Sequence, residues 1–550
     1  MLAADYVADV LVAAGVRHVF GVSGANIEDL FAAVQRRRPR LQAILAKHEH
    51  GAGTAADGYA RLTGGLGVVM TTSGGGAMNV VHALAEAQAS RVPVLALIGE
   101  PPTELQGSGA FQDTSGRGGP VDAAAVLGAV SVYCRRVTSV ETLPRALDGA
   151  LAAACAATPG PAVLLLAKDL QVAKVAEPAP RSGGETVPAS AGDRDALARA
   201  LSMVTRGPVL VIAGDEVVRQ RARGELARLV DRLDARVCVA PDARDAFDNG
   251  DSRFVGVAGA MGHPAVAQAA AAATTLLAVG TRLPLLARMG LENLIRTRPL
   301  VAIAREAPFV SSPDSVHLGG DVRGNLRDLV ASLGGPPPGS RTHPDVPPHR
   351  DEQEPGARFA DLLGASGVAR AVSGSLAPGA VVLLDAGNTG AEGVHHVAVP
   401  PGGRWLLAMG MAGMGWSFGA AVGAACATGR RCTVLAGDGA FFMHGLEVHT
   451  AVEHQLPITY VLFNNRAHGM CVIRERLLLG SESGSNVFGP AHIGAGLAAM
   501  FPSLPAWDCT TLADLEAALA RARSIPGPSV ICAELPTVEV PPFLAFGGQR

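Results

Sequence analysis

A chain of 550 residues, 48% hydrophobic and only 17% charged, carries more apolar material than one core organises, and predicts several domains, most simply three. Its 46 basic and 49 acidic residues give a net charge of −3, so no field over the whole molecule would draw nucleic acid or an anionic membrane, and the expected partner is a small molecule. The eight cysteines are scattered without a C-x-x-C pair, which argues against a zinc site or a disulfide framework and for a reducing, cytoplasmic setting.

The first 22 residues, "MLAADYVADVLVAAGVRHVFGV", have apolar positions at helical spacing and no basic head, and read as a surface helix leading into a strand rather than a signal peptide. A strand over 41–46 then drops into Lys47-His48-Glu49-His50, and a small-residue helix is expected from near Gly51. If the strand continued through the triplet, His48 and His50 would point away from Glu49. Further on, "LGVVMTT", "VPVLALIGE", "PVLVIAG", "TTLLAVG", "AVVLLDAG", "RCTVLAGDG" and "ITYVLFNN" alternate with Ala-rich helical stretches. That alternation predicts an α/β protein of three doubly wound parallel sheets covered by helices. Two breaks rich in Pro, Gly and charge, Ala176–Ser190 and Gly334–Gly356, place the domains at 1–175, 190–334 and 357–550. Apolar runs are strand-length or interrupted, short of the roughly 20 residues a membrane helix needs.

In open parallel sheets ligands gather beyond the carboxyl ends of the strands. The most informative ends are Gly437-Asp438-Gly439 and Asn464-Asn465, joined by one helix and one returning strand; Asp438 and Asn465 are 27 residues apart and reach the same sheet edge. Hard oxygen ligands that leave positions for phosphate suit Mg²⁺. Glycines on both sides of Asp438 let a diphosphate approach the backbone, where the next helix offers N–H donors. A bare "GDG" is usually a turn; the paired asparagine makes metal–diphosphate binding the better reading.

Together, "GDG" to "NN" and the earlier "HEHGAGTAADGYAR" resemble the thiamine diphosphate (ThDP) enzymes of the acetolactate synthase and pyruvate decarboxylase superfamily. "FGVSGANIEDLF", "GAFQD" and "GMGWSFGAAVGAA" resemble the acetolactate synthase-like branch. The resemblance covers nearly the whole chain and implies three domains: pyrimidine-binding, middle and diphosphate-binding. It implies that the Glu49 carboxyl bonds N1′ of the cofactor's aminopyrimidine, a role that burial among small apolar residues suits by favouring the protonated form. It implies Asp438, Asn465 and the Ala467 carbonyl as Mg²⁺ ligands, and a diphosphate site over Gly437, Asp438, Gly439 and Ala440, with Gly387, Asn388 and Thr389 opposite and Gly469 and Met470 beside it. It also implies that Met414 supports the bent cofactor, that the Ala412 carbonyl accepts from its 4′-amino group, and that Phe111 and Gln112 face the substrate. His468, next to Ala467, divides evenly between proton relay and hydrogen-bonding scaffold. His444 and His449 need only capping or packing.

The implied activity is decarboxylation of a 2-oxo acid, most simply pyruvate, with transfer of the acyl-anion equivalent to a carbonyl acceptor. Glu49 of one chain would face the cofactor anchored by another, so a homodimer or homotetramer is implied and a dilute monomer should be inactive. Two departures bear on substrate: Arg474 stands where an acetolactate synthase carries a tryptophan, and "HEH" splits the adjacent histidine pair of the pyruvate decarboxylase type. Arg474, with Arg476 or Arg117, would suit an acidic acceptor, although solvated surface arginines are the plainer reading. Aldehyde release is therefore the alternative chemistry, and a non-catalytic assembly subunit the alternative of another class. The middle domain resembles one that holds FAD in some relatives, but without a distinct phosphate fingerprint near "GVAGAMGHPA" the balance is against FAD.

Overall fold

The computed structural model describes residues 1–176, 193–334, 363–537 and 539–543. The stretches expected as linkers fall, but for Ala176 and Gly334, outside the described residues. Three six-stranded sheets follow one another along the chain, and every pairing between their strands is parallel. The three-sheet α/β architecture expected from strand and helix alternation is the one observed.

The first sheet holds β1 (His18–Gly21), β2 (Gln42–Leu45), β3 (Gly67–Thr71), β4 (Val94–Glu100), β5 (Tyr133–Val137) and β6 (Pro161–Ala167) in the order β2-β1-β3-β4-β6-β5. The second holds β7 (Val209–Ala213), β8 (Arg236–Val239), β9 (Phe254–Val257), β10 (Thr275–Val279), β11 (Leu300–Ile303) and β12 (Ser315–Leu318) in the order β12-β11-β10-β7-β8-β9. The third holds β13 (Val381–Leu384), β14 (Arg404–Leu407), β15 (Cys432–Gly437), β16 (Ile458–Asn464), β17 (Ala506–Cys509) and β18 (Ser529–Glu534) in the order β14-β13-β15-β16-β18-β17. First and third sheets thus share one strand order. Central strands such as β4, β6 and β16 are buried along their whole length, because helices cover both faces; this is why they read as unbroken apolar runs instead of alternating patterns.

The first and third domains are joined by their small-residue helices, Glu49–Thr63 and Trp416–Thr428. A Cβ on Gly58 would lie 2.3 Å from the Ala420 carbonyl oxygen, and one on Gly423 would lie 1.8 Å from that of Ala55. The backbones touch, and one apolar core, including Phe20, Ala55, Phe418 and Tyr460, runs through both domains. Arg61 pairs with buried Asp57 and lies 5.1 Å from the ring centre of Trp416, so the one charged face of this contact is neutralised within it. Among the described residues no helix is long and apolar enough to cross a membrane.

Gly423→Val should lower the urea midpoint of unfolding strongly, by overpacking backbone against backbone at a cost of about 3 kcal/mol or more. Gly367→Ala, in the helix Ala365–Ser375 with open space around it, should hold or raise the midpoint. Equal midpoints for the two variants would contradict the close helix contact.

Candidate active site

The carboxyl ends of β13, β15 and β16 border a cavity of about 280 Å³, lined only by residues of the third domain. Gly387, Asn388 and Thr389 come from the turn after β13 and the helix Asn388–His396, while Gly437, Asp438, Gly439 and Ala440 come from the end of β15 and the helix it feeds. Asn465, Ala467, His468, Gly469 and Met470 follow β16, and Met414 enters from the loop between β14 and the helix Trp416–Thr428. Residues distant in sequence meet here, beyond separate strands, because the order reverses between β13 and β15.

Among the described residues, two buried oxygens in this cavity have no hydrogen-bond partner: Asp438 Oδ2 and Asn388 Oδ1. Asp438 Oδ1 accepts from the Gly439 N–H at 2.8 Å, and burial pushes the carboxyl up to about 6, a direction that a nearby cation would reverse. Asn465 Oδ1 accepts from the Ala467 N–H at 3.2 Å, which orders the turn carrying the Ala467 carbonyl. Gly469 is required by the neighbouring asparagines: a Cβ there would come within 2.6 Å of Asn465 Nδ2 and 2.8 Å of Asn388 Nδ2. Orphaned hard oxygens, a glycine-lined wall and helix N-termini beyond two strands fit a metal-bound diphosphate. His468 lines the same cavity, with its ring edge-on to Phe488 at 4.7 Å and its Nδ1 filling the space a side chain at Gly439 would need.

Glu49, Phe111 and Gln112 do not line this cavity. They belong to a second group at the carboxyl edge of the first sheet. Glu49 is buried, and its Oε2 accepts from Asn79 Nδ2 at 2.9 Å. A Cβ on Gly76 would lie 3.0 Å from Oε1, so glycine there clears the carboxyl's open side. Gln112, at φ +58° in the loop after β4, packs against Gly74 of the turn after β3, and Phe111 is 80% exposed. Ala412 is exposed as well. Within one chain the residues expected to share a site therefore fall into two separate groups.

The histidine triplet differs from the strand-based reading. The strand ends at Leu45, and Glu49 opens the helix Glu49–Thr63, with His48 as its cap accepting from the His50 N–H through Nδ1. A helix does not alternate its side chains, so His48 and His50 are turned by the cap instead: His50 stacks on His444 at 3.8 Å between ring centres and on His82 at 4.8 Å, and His48 meets His444 at 5.4 Å. His449 packs flat on Phe501, as expected of a structural residue. Cys532 lies with Asp508 and Glu534, a meeting that the scattered cysteine spacings do not reveal. Those carboxylates already accept from Gly494, Ala495 and Asn464.

Three residues that bond to these groups or to the loop carrying Met414 escape the motif-based reading: Asn79, Glu86 and Asp385. Asp385 is buried and accepts from the Gly415 N–H (2.8 Å), the Ser417 N–H (3.0 Å) and Ser417 Oγ (2.6 Å). Its only sequence signal is its place at a strand end in "DAG". In the middle domain, the glycines of "GVAGAMGHPA" are filled by their own chain, since a Cβ on Gly259 would lie 1.9 Å from the Leu286 oxygen. Arg474 and Arg117 are exposed, and Arg476 pairs with Glu482.

Three family models match: "Thiamine pyrophosphate enzyme, N-terminal TPP binding domain" over residues 1–117, the "central domain" over 195–329 and the "C-terminal TPP binding domain" over 385–533. The acetolactate synthase isozyme 1 large subunit of Escherichia coli is 26% identical over 96% of this chain and 93% of its own length. A probable acetolactate synthase large subunit of Methanocaldococcus jannaschii is 26% identical over 88% and 83%, and the isozyme 2 large subunit of E. coli is 28% identical over 86% and 84%. With its three α/β domains, the chain belongs to the thiamine diphosphate-dependent enzymes, among their acetolactate synthase-like members.

Burial and neighbouring imidazoles lower His50 to about 2 and His444 to about 4. Both fold neutral, so their contribution is complete above the ordinary histidine value near 6.5 and declines as pH falls below it toward the folded values. His48, His82 and the Glu447 carboxylate that accepts from the Lys47 and His48 N–H groups face the same stack. The urea midpoint should fall between pH 7.5 and pH 5, and His444→Gln should shrink that fall; an equal fall in both proteins would contradict the reading.

Proposed function

We propose that the protein binds ThDP with Mg²⁺ in the cavity beyond β13, β15 and β16, decarboxylates a 2-oxo acid such as pyruvate, and transfers the acyl-anion equivalent to a carbonyl acceptor. The observation that carries this is the pair of orphaned buried oxygens, Asp438 Oδ2 and Asn388 Oδ1, in a cavity of diphosphate-binding character. Asp438, Asn465 and the Ala467 carbonyl would hold the metal, and the backbone around Gly387 and Gly439 would receive the diphosphate. Bound ThDP supplies an acidic thiazolium carbon and a ring able to store the electron pair released with carbon dioxide.

The chain's own residues supply position and a proton. Asn79 ties Oε2 of Glu49, which leaves Oε1, facing Gly76, to carry the proton exchanged with a ring nitrogen. Met414, at the cavity wall, would act as an apolar support, and His468 beside the metal turn would serve as proton relay or hydrogen-bonding scaffold. Because Glu49 does not reach its own chain's cavity, the working site would combine Glu49 of one subunit with Asp438 and Asn465 of a second, in a homodimer or homotetramer. Exposed Phe111, Met411, Phe442 and Met443 offer apolar surface for that contact.

Titration calorimetry with ThDP should show saturable binding that EDTA abolishes, and incubation with pyruvate should yield a coupled ketol by mass spectrometry. Acetaldehyde as sole product would make the enzyme a simple decarboxylase, and absence of saturable binding would leave only an assembly role. Asp438→Ala should weaken ThDP binding by about 100-fold or more, through loss of a charged metal ligand. Glu49→Gln should keep much of the affinity and slow hydrogen–deuterium exchange at the thiazolium carbon of bound ThDP about 100-fold; an unchanged exchange rate would contradict its role.

A further inference from the structure

The loop from Gly410 to Gly415 carries Ala412 and Met414, yet its tip is exposed and Ala412 sits at φ +51°, a conformation that non-glycine residues hold only when their surroundings impose it. What imposes it comes from the first domain. Glu86, 2% exposed on the helix Val81–Ala89, accepts from three consecutive backbone N–H groups: Gly410 through Oε1 at 3.2 Å, Met411 through Oε2 at 2.6 Å and Ala412 through Oε2 at 3.2 Å. Ser90 Oγ donates to the same Oε1 at 2.6 Å, and Arg61 Nη2 lies 3.3 Å from it, so the buried carboxylate is neutralised and its acceptor positions are filled. Despite burial, these partners hold the Glu86 carboxyl below the usual carboxylate range, so it is ionised at neutral pH. One turn earlier on the same helix, His82 lies directly beneath Gly413, where a Cβ would come within 2.0 Å of Nε2. At the far end Asp385 holds Gly415 and Ser417. The loop is suspended between two buried carboxylates from two domains.

We infer that Glu86 is a positioning residue for the ThDP site: through three backbone N–H groups it sets the Gly410–Ala412 backbone, so that the Ala412 carbonyl and the Met414 side chain stand in place before the cofactor arrives. The inference rests on the ThDP reading above. Glu86 is not among the residues lining the third-domain cavity; its described contacts there are with the loop. A carboxylate is required because it offers acceptors to all three donors, whereas a glutamine presents one oxygen and turns an NH₂ group toward N–H groups.

The test compares wild type with Glu86→Gln, first without cofactor and then with ThDP and Mg²⁺. In the apo protein, amide hydrogen exchange over residues 408–415 should be about tenfold faster or more in the variant, with β15 and β16 unchanged. With cofactor, ThDP should bind about tenfold more weakly, and kcat on pyruvate and C2 exchange per bound cofactor should fall about tenfold or more while KM for pyruvate moves less than about threefold. A merely structural role would reduce the folded fraction without slowing C2 exchange per bound cofactor. Unchanged amide exchange over 408–415 overturns the clamp, and faster amide exchange with unchanged ThDP affinity and C2 exchange overturns the positioning role. If Glu86→Gln does not fold, Glu86→Asp, one methylene shorter and still charged beside Arg61, takes its place under the same criteria. Should wild type itself bind no ThDP, the proposed function fails, while the apo exchange comparison still decides the clamp.

Discussion

Direct backbone contact between the helices Glu49–Thr63 and Trp416–Thr428 governs everything else in this molecule. Gly58, Gly419 and Gly423 let them approach until carbonyl oxygens of one occupy the space of side chains on the other. At that separation, the cap of the first helix, with His48, Glu49 and His50, lies against His444 and Glu447 of the third domain. The start of the second helix places Gly415 and Ser417 on Asp385. The geometry of both residue groups is thereby referred to one shared core rather than to loops, and small differences in packing there would be felt at each.

The shared strand order of the first and third sheets gives this contact its consequence. A buried carboxyl and its asparagine stand at the carboxyl edge of the first sheet, and buried oxygens without described partners stand in the cavity beyond the third. A single chain holds the two groups on different domains, and the described lining of the cavity belongs to the third domain. Loop 410–417 bridges the arrangement: it contributes to the third-domain site yet hangs partly from Glu86 of the first domain.

Much of this was legible in the sequence, for identifiable reasons. Parallel strands buried on both faces read as apolar runs, and strand-end residues such as Asp438 and Asn465 stand out because glycines and a paired asparagine mark a backbone that something must approach. Boundaries were less secure: the strand expected over 41–46 is Gln42–Leu45, and the helix expected near Gly51 begins at Glu49, which removes the alternation used to orient His48 and His50. The role of Glu86 was out of reach, because its partners in the loop lie more than 300 positions away and are backbone N–H groups, which have no residue signature. Asn79 carries no motif of its own, and nothing in its spacing from Glu49 announces a hydrogen bond.

The account's central claim, that a proton-carrying glutamate and a metal cradle from different subunits serve one cofactor, is tested most directly by complementation. Glu49→Gln and Asp438→Ala, each nearly inactive alone, would be mixed and allowed to exchange subunits, with hybrid formation followed by native mass spectrometry. In a hybrid dimer one site carries both defects and the other neither, so each hybrid keeps one working site of two, and an equimolar mixture, half of it hybrid, should return to about a quarter of the wild-type activity. Hybrids that form and remain inactive would show that both residues serve the same chain's site, and would contradict the account.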